Sequence, residues 1–211
     1  MNKNAITHPN YTKVEVNRYR EKGWQQAEDF VLNEVPVALV YNGFPHVVIM
    51  CTPQDLEDFV YGFSLTEGII RRAEDILSLE LLSKERGIEV RVEIRPECFI
   101  RLESRKRQMS ARTGCGICGL DSLEQVVRPQ SPIQTVFKLQ EEAINQALRQ
   151  ASSWQKLNQK TGGAHGAFWV SLAGEIQFCR EDVGRHVAMD KLVGALIREG
   201  YSPSHGFILV T

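Results

Sequence analysis

Glu34-Val35-Pro36-Val37-Ala38-Leu39-Val40-Tyr41-Asn42-Gly43-Phe44-Pro45-His46-Val47-Val48-Ile49-Met50-Cys51-Thr52-Pro53 sets the fold class of this chain. Residues 34–41 are short, apolar and rich in β-branched side chains, which predicts a strand. Asn42-Gly43 is the pair that a two-residue hairpin turn demands, because both residues tolerate positive φ. Phe44 to Cys51 then reads as the returning strand. A helix is expected next, with Thr52 as N-cap, Pro53 at the first helical position and Asp55 near the positive end of the dipole. Leu56, Phe59, Val60 and Phe63 recur at helical spacing and should face the core, and Gly68 supplies a stop. Strand, turn, strand and helix within so short a span predict an α/β protein.

Upstream, residues 1–33 are polar and irregular apart from Val14 and Val16, and read as an arm or an edge strand. Downstream, Ser78 to Leu82 suggests another strand and Lys84-Glu85-Arg86-Gly87 a turn. Ile88, Val90, Val92 and Ile94 alternate with Glu89, Arg91, Glu93 and Arg95, the pattern of a half-buried strand. Phe99 to Leu102 is expected to extend or follow it. The text then becomes basic, with Arg101, Arg105, Lys106, Arg107 and Arg112 against Glu103. Ser122 to Val127 reads as a short helix, and Pro129-Gln130-Ser131-Pro132 as a boundary.

The second half restarts with a helix over Leu139 to Lys160, carrying Ile144, Ala147, Leu148 and Ala151 on one face. A glycine-rich loop, Thr161 to Gly166, contains His165. Ala167 to Leu172 and Glu175 to Cys179 predict a hairpin around Ala173-Gly174. The polar cluster Arg180-Glu181-Asp182-Val183-Gly184-Arg185-His186 leads into a helix with Val187, Leu192, Val193, Leu196 and Ile197, which Gly200 should end. Phe207 to Val210 is a continuous apolar strand, expected inside a sheet covered on both faces. Since the sequence stops there, the C-terminal portion is expected to be truncated, or a second subunit to supply the missing layer.

Of the 211 residues, 43% are hydrophobic and 24% charged, with a net charge of -1. These values exclude disordered and collagen-like classes, and the charge excludes a histone-like nucleic-acid binder. No apolar run approaches the roughly 20 residues of a spanning helix, and no signal peptide is visible, so a cytoplasmic location is expected. Five cysteines, an odd number, argue against a disulfide framework. Cys51, Cys98 and Cys179 sit in apolar or strand-like text and read as core residues.

Cys115 and Cys118 differ, because Thr113-Gly114-Cys115-Gly116-Ile117-Cys118-Gly119 offers no bulky side chains to bury them. Positive neighbours such as Arg112 and the run 105–107 favour the thiolate, the reactive form of cysteine. A thiolate there can take the terminal sulfur of a persulfide, and a second thiol can cleave the product or close a disulfide. Zinc is an alternative, although one Cys-x-x-Cys supplies two ligands and His165, His186 or Cys179 would have to complete the site. Thioredoxin-like exchange fits less well, because no Trp precedes Cys115. Deaminase chemistry lacks its His-x-Glu and its proline. Arg and Lys beside reactive thiols also suit phosphate. At the other cluster, Asp182 could cap a helix, or the helix start with Arg180, Arg185 and His186 could face an anion, with the His165 loop in the same pocket.

Four segments together carry a family resemblance: 35–43, Gly62-Phe63-Ser64-Leu65-Thr66-Glu67-Gly68-Ile69-Ile70, 112–119, and 181–192 (Glu181-Asp182-Val183-Gly184-Arg185-His186-Val187-Ala188-Met189-Asp190-Lys191-Leu192). From about residue 34 onward the sequence resembles the formate dehydrogenase accessory sulfurtransferase family (FdhD/NarQ). The resemblance implies a small α/β N-terminal part joined to a cytidine-deaminase-like α/β layered domain, and pairing as a homodimer. It implies a sulfur carrier that takes persulfide sulfur from a cysteine desulfurase and passes it to the molybdenum or tungsten bis-guanine-dinucleotide cofactor before that cofactor enters formate dehydrogenase. Cys115 matches the persulfide-bearing cysteine and Cys118 the second one. The cofactor is a transient ligand, and no permanently bound group is expected. A Phe-Cys-Lys-Pro-Gly-Arg-like segment of the family has no match here.

The expected organisation is therefore an arm over 1–33, an α/β part over 34–132 and an incomplete layered domain over 133–211. Cys115 and Cys118 are the catalytic candidates. Arg105, Lys106, Arg107, Arg112, His165, Arg180, Arg185 and His186 are the cofactor-binding candidates. Two other functions fit part of the pattern: a cofactor-binding chaperone without sulfur chemistry, and a zinc-stabilised interaction domain.

Overall fold

A computed structural model describes residues 8–20, 23–110 and 138–211, with all their side chains except those of 105–110 and 203. The Cys115–Cys118 segment, Arg112, the helix expected at 122–127 and the boundary at 129–132 lie outside the described residues.

The N-terminal arm is a ribbon. β1 (Tyr11–Arg20) and β2 (Gly23–Leu32) pair antiparallel along their whole length, from Tyr11 opposite Leu32 to Arg20 opposite Gly23. β3 (Val35–Tyr41) and β4 (Phe44–Cys51) form the expected hairpin, and its turn residues Asn42 and Gly43 both have positive φ. β5 (Ile76–Lys84) and β6 (Gly87–Ile94) complete a four-stranded sheet of order β4-β3-β6-β5, in which β3 and β6 run parallel. Val37, Leu39 and Tyr41 of β3 and Val90 and Val92 of β6 have no exposed surface, so this face is the core.

α1 (Leu56–Thr66) covers that face with Leu56, Phe59 and Val60. Its start differs from expectation. Asp55, not Thr52, is the N-cap residue, in the left-handed region at φ 53° and with no side-chain cap bond. Thr52 is fully buried and committed elsewhere, as described below. The expected stop holds: Gly68 has φ 66°, and its N–H returns to the Leu65 carbonyl. Phe99 to Leu102 belongs to a helix rather than a strand, α2 (Pro96–Ser110). Pro96 suits a first helical position. Cys98 and Leu102, one turn apart, are 1% and 5% exposed beneath it while Ile100 between them is 65% exposed; a strand would put all three on one face, and a helix does not.

The helix expected at 139–160 is two helices, α3 (Glu141–Trp154) and α4 (Lys156–Thr161), broken at Gln155 with φ -80° and ψ 73°. The Glu181 carboxylate explains the break, because it accepts the Leu157 and Asn158 N–H groups, each at 2.8 Å, and so starts α4 afresh. The buried face of α3 is Ala143, Ala147 and Ala151, while Leu148 is exposed.

β7 (His165–Ser171) is the centre of a second sheet, antiparallel to both β8 (Ile176–Asp182) and β9 (Gly206–Val210). α5 (Arg185–Arg198) packs against Ala167 and Trp169 of β7, and α3 against Phe168 and Val170 on the opposite face. β9 was expected to be covered on both sides. Among the described residues it is an edge strand, and Ile208 and Val210 are exposed.

The two halves meet through α1 and α5. A Cβ on Gly62 would fall 1.7 Å from the Asp190 carbonyl oxygen, and one on Gly194 would fall 1.8 Å from that of Asp58. Glycine at both positions lets the helix backbones touch. The layers therefore run sheet, α1 with α2, α5, sheet, α3, as a mixed α/β architecture. No described helix is long and apolar enough to cross a membrane.

Candidate functional site

α2 carries Arg105, Lys106 and Arg107 in its last turns. The three described cysteines are poor nucleophiles. Cys51 and Cys98 are buried and Cys179 is partly buried, all as free thiols. Burial, and then the Asp182 charge, push the Cys51 thiol up to about 12. Burial, and then Glu181, do the same at Cys179, also to about 12. Burial raises Cys98 too, although the Arg101 guanidinium donates to its Sγ at 3.1 Å and pulls the other way. None is poised to ionise near neutral pH.

The second cluster forms where β7 begins, β8 ends and α5 begins. His165 pairs across the ladder with Asp182. Its Nδ1 donates to the Thr211 main-chain oxygen at 2.8 Å, and its ring is exposed. Arg185 and His186 form the first turn of α5 and are also exposed. Gly184, the N-cap, brings no side chain, so the first-turn N–H groups of α5 are not capped by it. A positive helix end beside Arg185 and His186 is chemically suited to an anion. Arg180 is placed differently. Its Nε donates to Asp58 Oδ2 of α1 at 2.7 Å and its Nη1 to the Cys179 carbonyl, so the guanidinium ties β8 to the first half. Arg198 of α5 reaches the same Asp58 as well as Glu57.

Beneath this cluster lies a buried polar centre. Asp182 Oδ2 accepts from the Thr52 N–H at 2.9 Å and from Lys191 Nζ at 2.7 Å, and its Oδ1 accepts from the Gly184 N–H at 2.9 Å. Lys191 also donates to the Thr52 carbonyl, and the Thr52 hydroxyl accepts from the Val183 N–H. Asp182 does not cap α5 as expected: its Oδ1 holds the Gly184 N–H ahead of the helix, whose N-cap has no side-chain cap bond, and its second oxygen holds the end of β4. Among the described residues no cluster of His, Cys, Asp and Glu could hold a metal ion.

The FdhD/NarQ family model matches residues 32–211. The chain belongs to the FdhD/NarQ family. It is 46% identical over 203 residues to the sulfur carrier protein FdhD of Cupriavidus necator, an alignment covering 96% of this chain and 70% of that protein. It is 41% identical to the FdhD of Xanthomonas euvesicatoria, covering 93% and 70%. The crystal structure of a candidate formate dehydrogenase accessory protein from Desulfotalea psychrophila superposes with a TM-score of 0.67 at 25% identity, covering 96% of this chain and 73% of that one.

Reading the sequence missed Asp58 and Lys191 and gave Thr52 only a capping role. One signal was present. Lys191 falls between Ala188, Leu192 and Ala195 on the buried face of α5, and a lysine in an apolar stripe needs a partner.

Proposed function

We propose that this chain is a sulfur carrier in formate dehydrogenase maturation. Cys115 takes sulfur from a cysteine desulfurase, and the acceptor is a molybdenum or tungsten bis-guanine-dinucleotide cofactor, handled as cargo. Membership of a family whose relatives are sulfur carrier proteins supports the role. The observation that carries the assignment to the Cys115–Cys118 pair is the state of the other thiols: burial holds Cys51, Cys98 and Cys179 in the protonated form.

In the first step the Cys115 thiolate attacks the terminal sulfur of the donor persulfide. A new S–S bond forms on Cys115 as the donor's S–S bond breaks, and the donor leaves as a thiolate. Cys118 then attacks Cys115 Sγ, and the terminal sulfur departs as hydrosulfide towards the cofactor. The resulting Cys115–Cys118 disulfide is reset by an external dithiol. Arg105, Lys106, Arg107 and Arg112 favour the thiolate and attract the phosphates of the cargo. The start of α5, with Arg185, His186 and His165, offers a second anion-binding face. Arg180 supports it by fixing β8 against α1.

The test is complementation of formate dehydrogenase activity in a strain lacking its own carrier. The parent should restore activity, and Cys115→Ala should not. Full activity with Cys115→Ala would point to a chaperone that binds cofactor without moving sulfur.

A further inference from the structure

Between the segment that joins α1 to β5 and the first turns of α2 lies a pocket of about 310 Å³, lined by Arg71, Arg72, Asp75, Glu97, Cys98 and Arg101. None of these residues is among the catalytic or cofactor-binding candidates above. The volume falls at the lower end of the range that holds small molecules. Its frame is fixed by Asp75, which is 5% exposed. Asp75 Oδ2 accepts the Arg71 N–H at 2.9 Å, and its main-chain oxygen accepts the Arg95 N–H at 2.9 Å. Residues 71–75 are thereby tied to the junction of β6 and α2. Cys98, 1% exposed, is the other buried member of the lining.

The charges in this pocket do not cancel locally. Asp75 already meets two guanidinium groups, with Arg72 Nε at 3.3 Å and Arg95 Nε at 3.7 Å from its Oδ1. Arg71 and Arg101 form no ion pair with a carboxylate among the described residues. Arg101 is half-buried, and its Nη2 donates to the Ile69 carbonyl at 3.4 Å and to Cys98 Sγ at 3.1 Å. Both acceptors are neutral and leave its charge uncompensated. The half-buried Arg180 shows the contrast, since it is matched by Asp58 at 2.7 Å. A guanidinium partly withdrawn from water at the wall of a cavity is stabilised by an anion.

We propose that this pocket binds a small phosphate compound, with Arg71 and Arg101 holding the phosphate, Arg72 at the rim and Glu97 limiting the negative charge the site accepts. Guanidinium forks pair with phosphate through two parallel N–H bonds each. A phosphate has oxygens enough to serve both arginines at once, whereas a carboxylate has only two. Glu97 is exposed on the same wall and forms no ion pair among the described residues, so it repels an anion there. Free pyrophosphate and a phosphate ester present the same chemistry to the arginines. The site goes beyond the sulfur-carrier reading and uses none of the residues assigned to it.

The test is calorimetric titration of the 211-residue chain with inorganic phosphate, pyrophosphate and ribose 5-phosphate. No sulfur donor is present, so the result stands whatever the fate of sulfur transfer. Tighter binding of ribose 5-phosphate than of the two inorganic ions would mark an ester as the ligand, and tighter binding of pyrophosphate would mark the free anion. Arg71→Ala and Arg101→Gln should each weaken binding about tenfold, the worth of one charge-assisted hydrogen bond, and Glu97→Gln should tighten it. Arg71 and Glu97 are exposed and their side chains have no partner among the described residues, so circular dichroism of those two variants should match the parent. In amide NMR spectra the same titration should move the signals of Arg71, Arg72 and Cys98 more than those of Arg185 and His186. No binding of any of the three probes at millimolar concentration would overturn the proposal. So would binding that is indifferent to Arg71→Ala and Glu97→Gln, or signals that move only at the start of α5.

Discussion

Lys191 Nζ lies 2.7 Å from Asp182 Oδ2, and neither side chain has any exposed surface. The pair also holds Thr52, at the end of β4, through that residue's N–H and carbonyl. It is thus a cross-brace between the two halves. Removing one member of a buried pair leaves an uncompensated charge, at a cost of about 3–5 kcal/mol. Lys191→Met should lose about that much in urea denaturation, and Asp182→Leu/Lys191→Met together should lose less than the sum of the single changes. Additive losses would show that the two groups do not interact.

Gly62→Ala and Gly194→Ala test the contact between α1 and α5. In an open helix the change gains up to about 1 kcal/mol. Here the new methyl groups would enter the Asp190 and Asp58 carbonyls. Each substitution should instead destabilise by about 1–3 kcal/mol or more, read as a lower melting temperature. A rise would refute the close crossing.

Two carboxyls should titrate with opposite effects on stability. Burial raises Asp190 above its ordinary value, while the Thr66 hydroxyl and His186 oppose the rise and Glu67 adds to it. Its contribution is therefore full below the unfolded pKa, about 3.9, and is lost as pH rises through the folded pKa. Asp190→Asn should match the parent at low pH and exceed it at neutral pH. Asp75 is held low by the Arg71 N–H and then by Arg72. Asp75→Asn should be weaker than the parent at neutral pH, with the gap closing as pH falls through the folded value. Urea midpoints from pH 3 to 8 would show either sign directly.

Much of this architecture is legible in the sequence. The β3–β4 hairpin, the stop at Gly68, the alternation of β6 and the β7–β8 hairpin follow from local pattern and turn chemistry. Failures occur where distant residues decide the outcome. Thr52 looks like a cap, but Asp182 and Lys191 claim its backbone from 130 and 139 residues away. Glu181 splits a continuous helical pattern at Gln155 by capping a new start. Phe99 to Leu102 suits a strand by composition, and the exposure of Ile100 between buried Cys98 and Leu102 marks it as helix. At the site, residue types and spacing singled out Cys115, Arg185 and His186. That Arg180 is held by Asp58 depends on a contact 122 residues apart, which local pattern does not encode.

Thiol accessibility gives a direct check on the assignment of the reactive cysteine. A thiol titrating at about 12 is ionised in about one molecule in ten thousand at pH 8. Brief alkylation of the native chain at that pH should spare Cys51, Cys98 and Cys179, while all five cysteines react in denaturant. Rapid native labelling of Cys51 or Cys179 would contradict the buried, protonated state assigned to them.

The most direct test follows a sulfur atom. The reduced chain would be incubated with a cysteine desulfurase and cysteine, trapped with an alkylating reagent and mapped by peptide mass spectrometry. One extra sulfur on the peptide carrying Cys115, abolished by Cys115→Ala and retained in Cys51→Ala and Cys179→Ala, is the predicted result. Sulfur loading that survives Cys115→Ala unchanged would contradict the account.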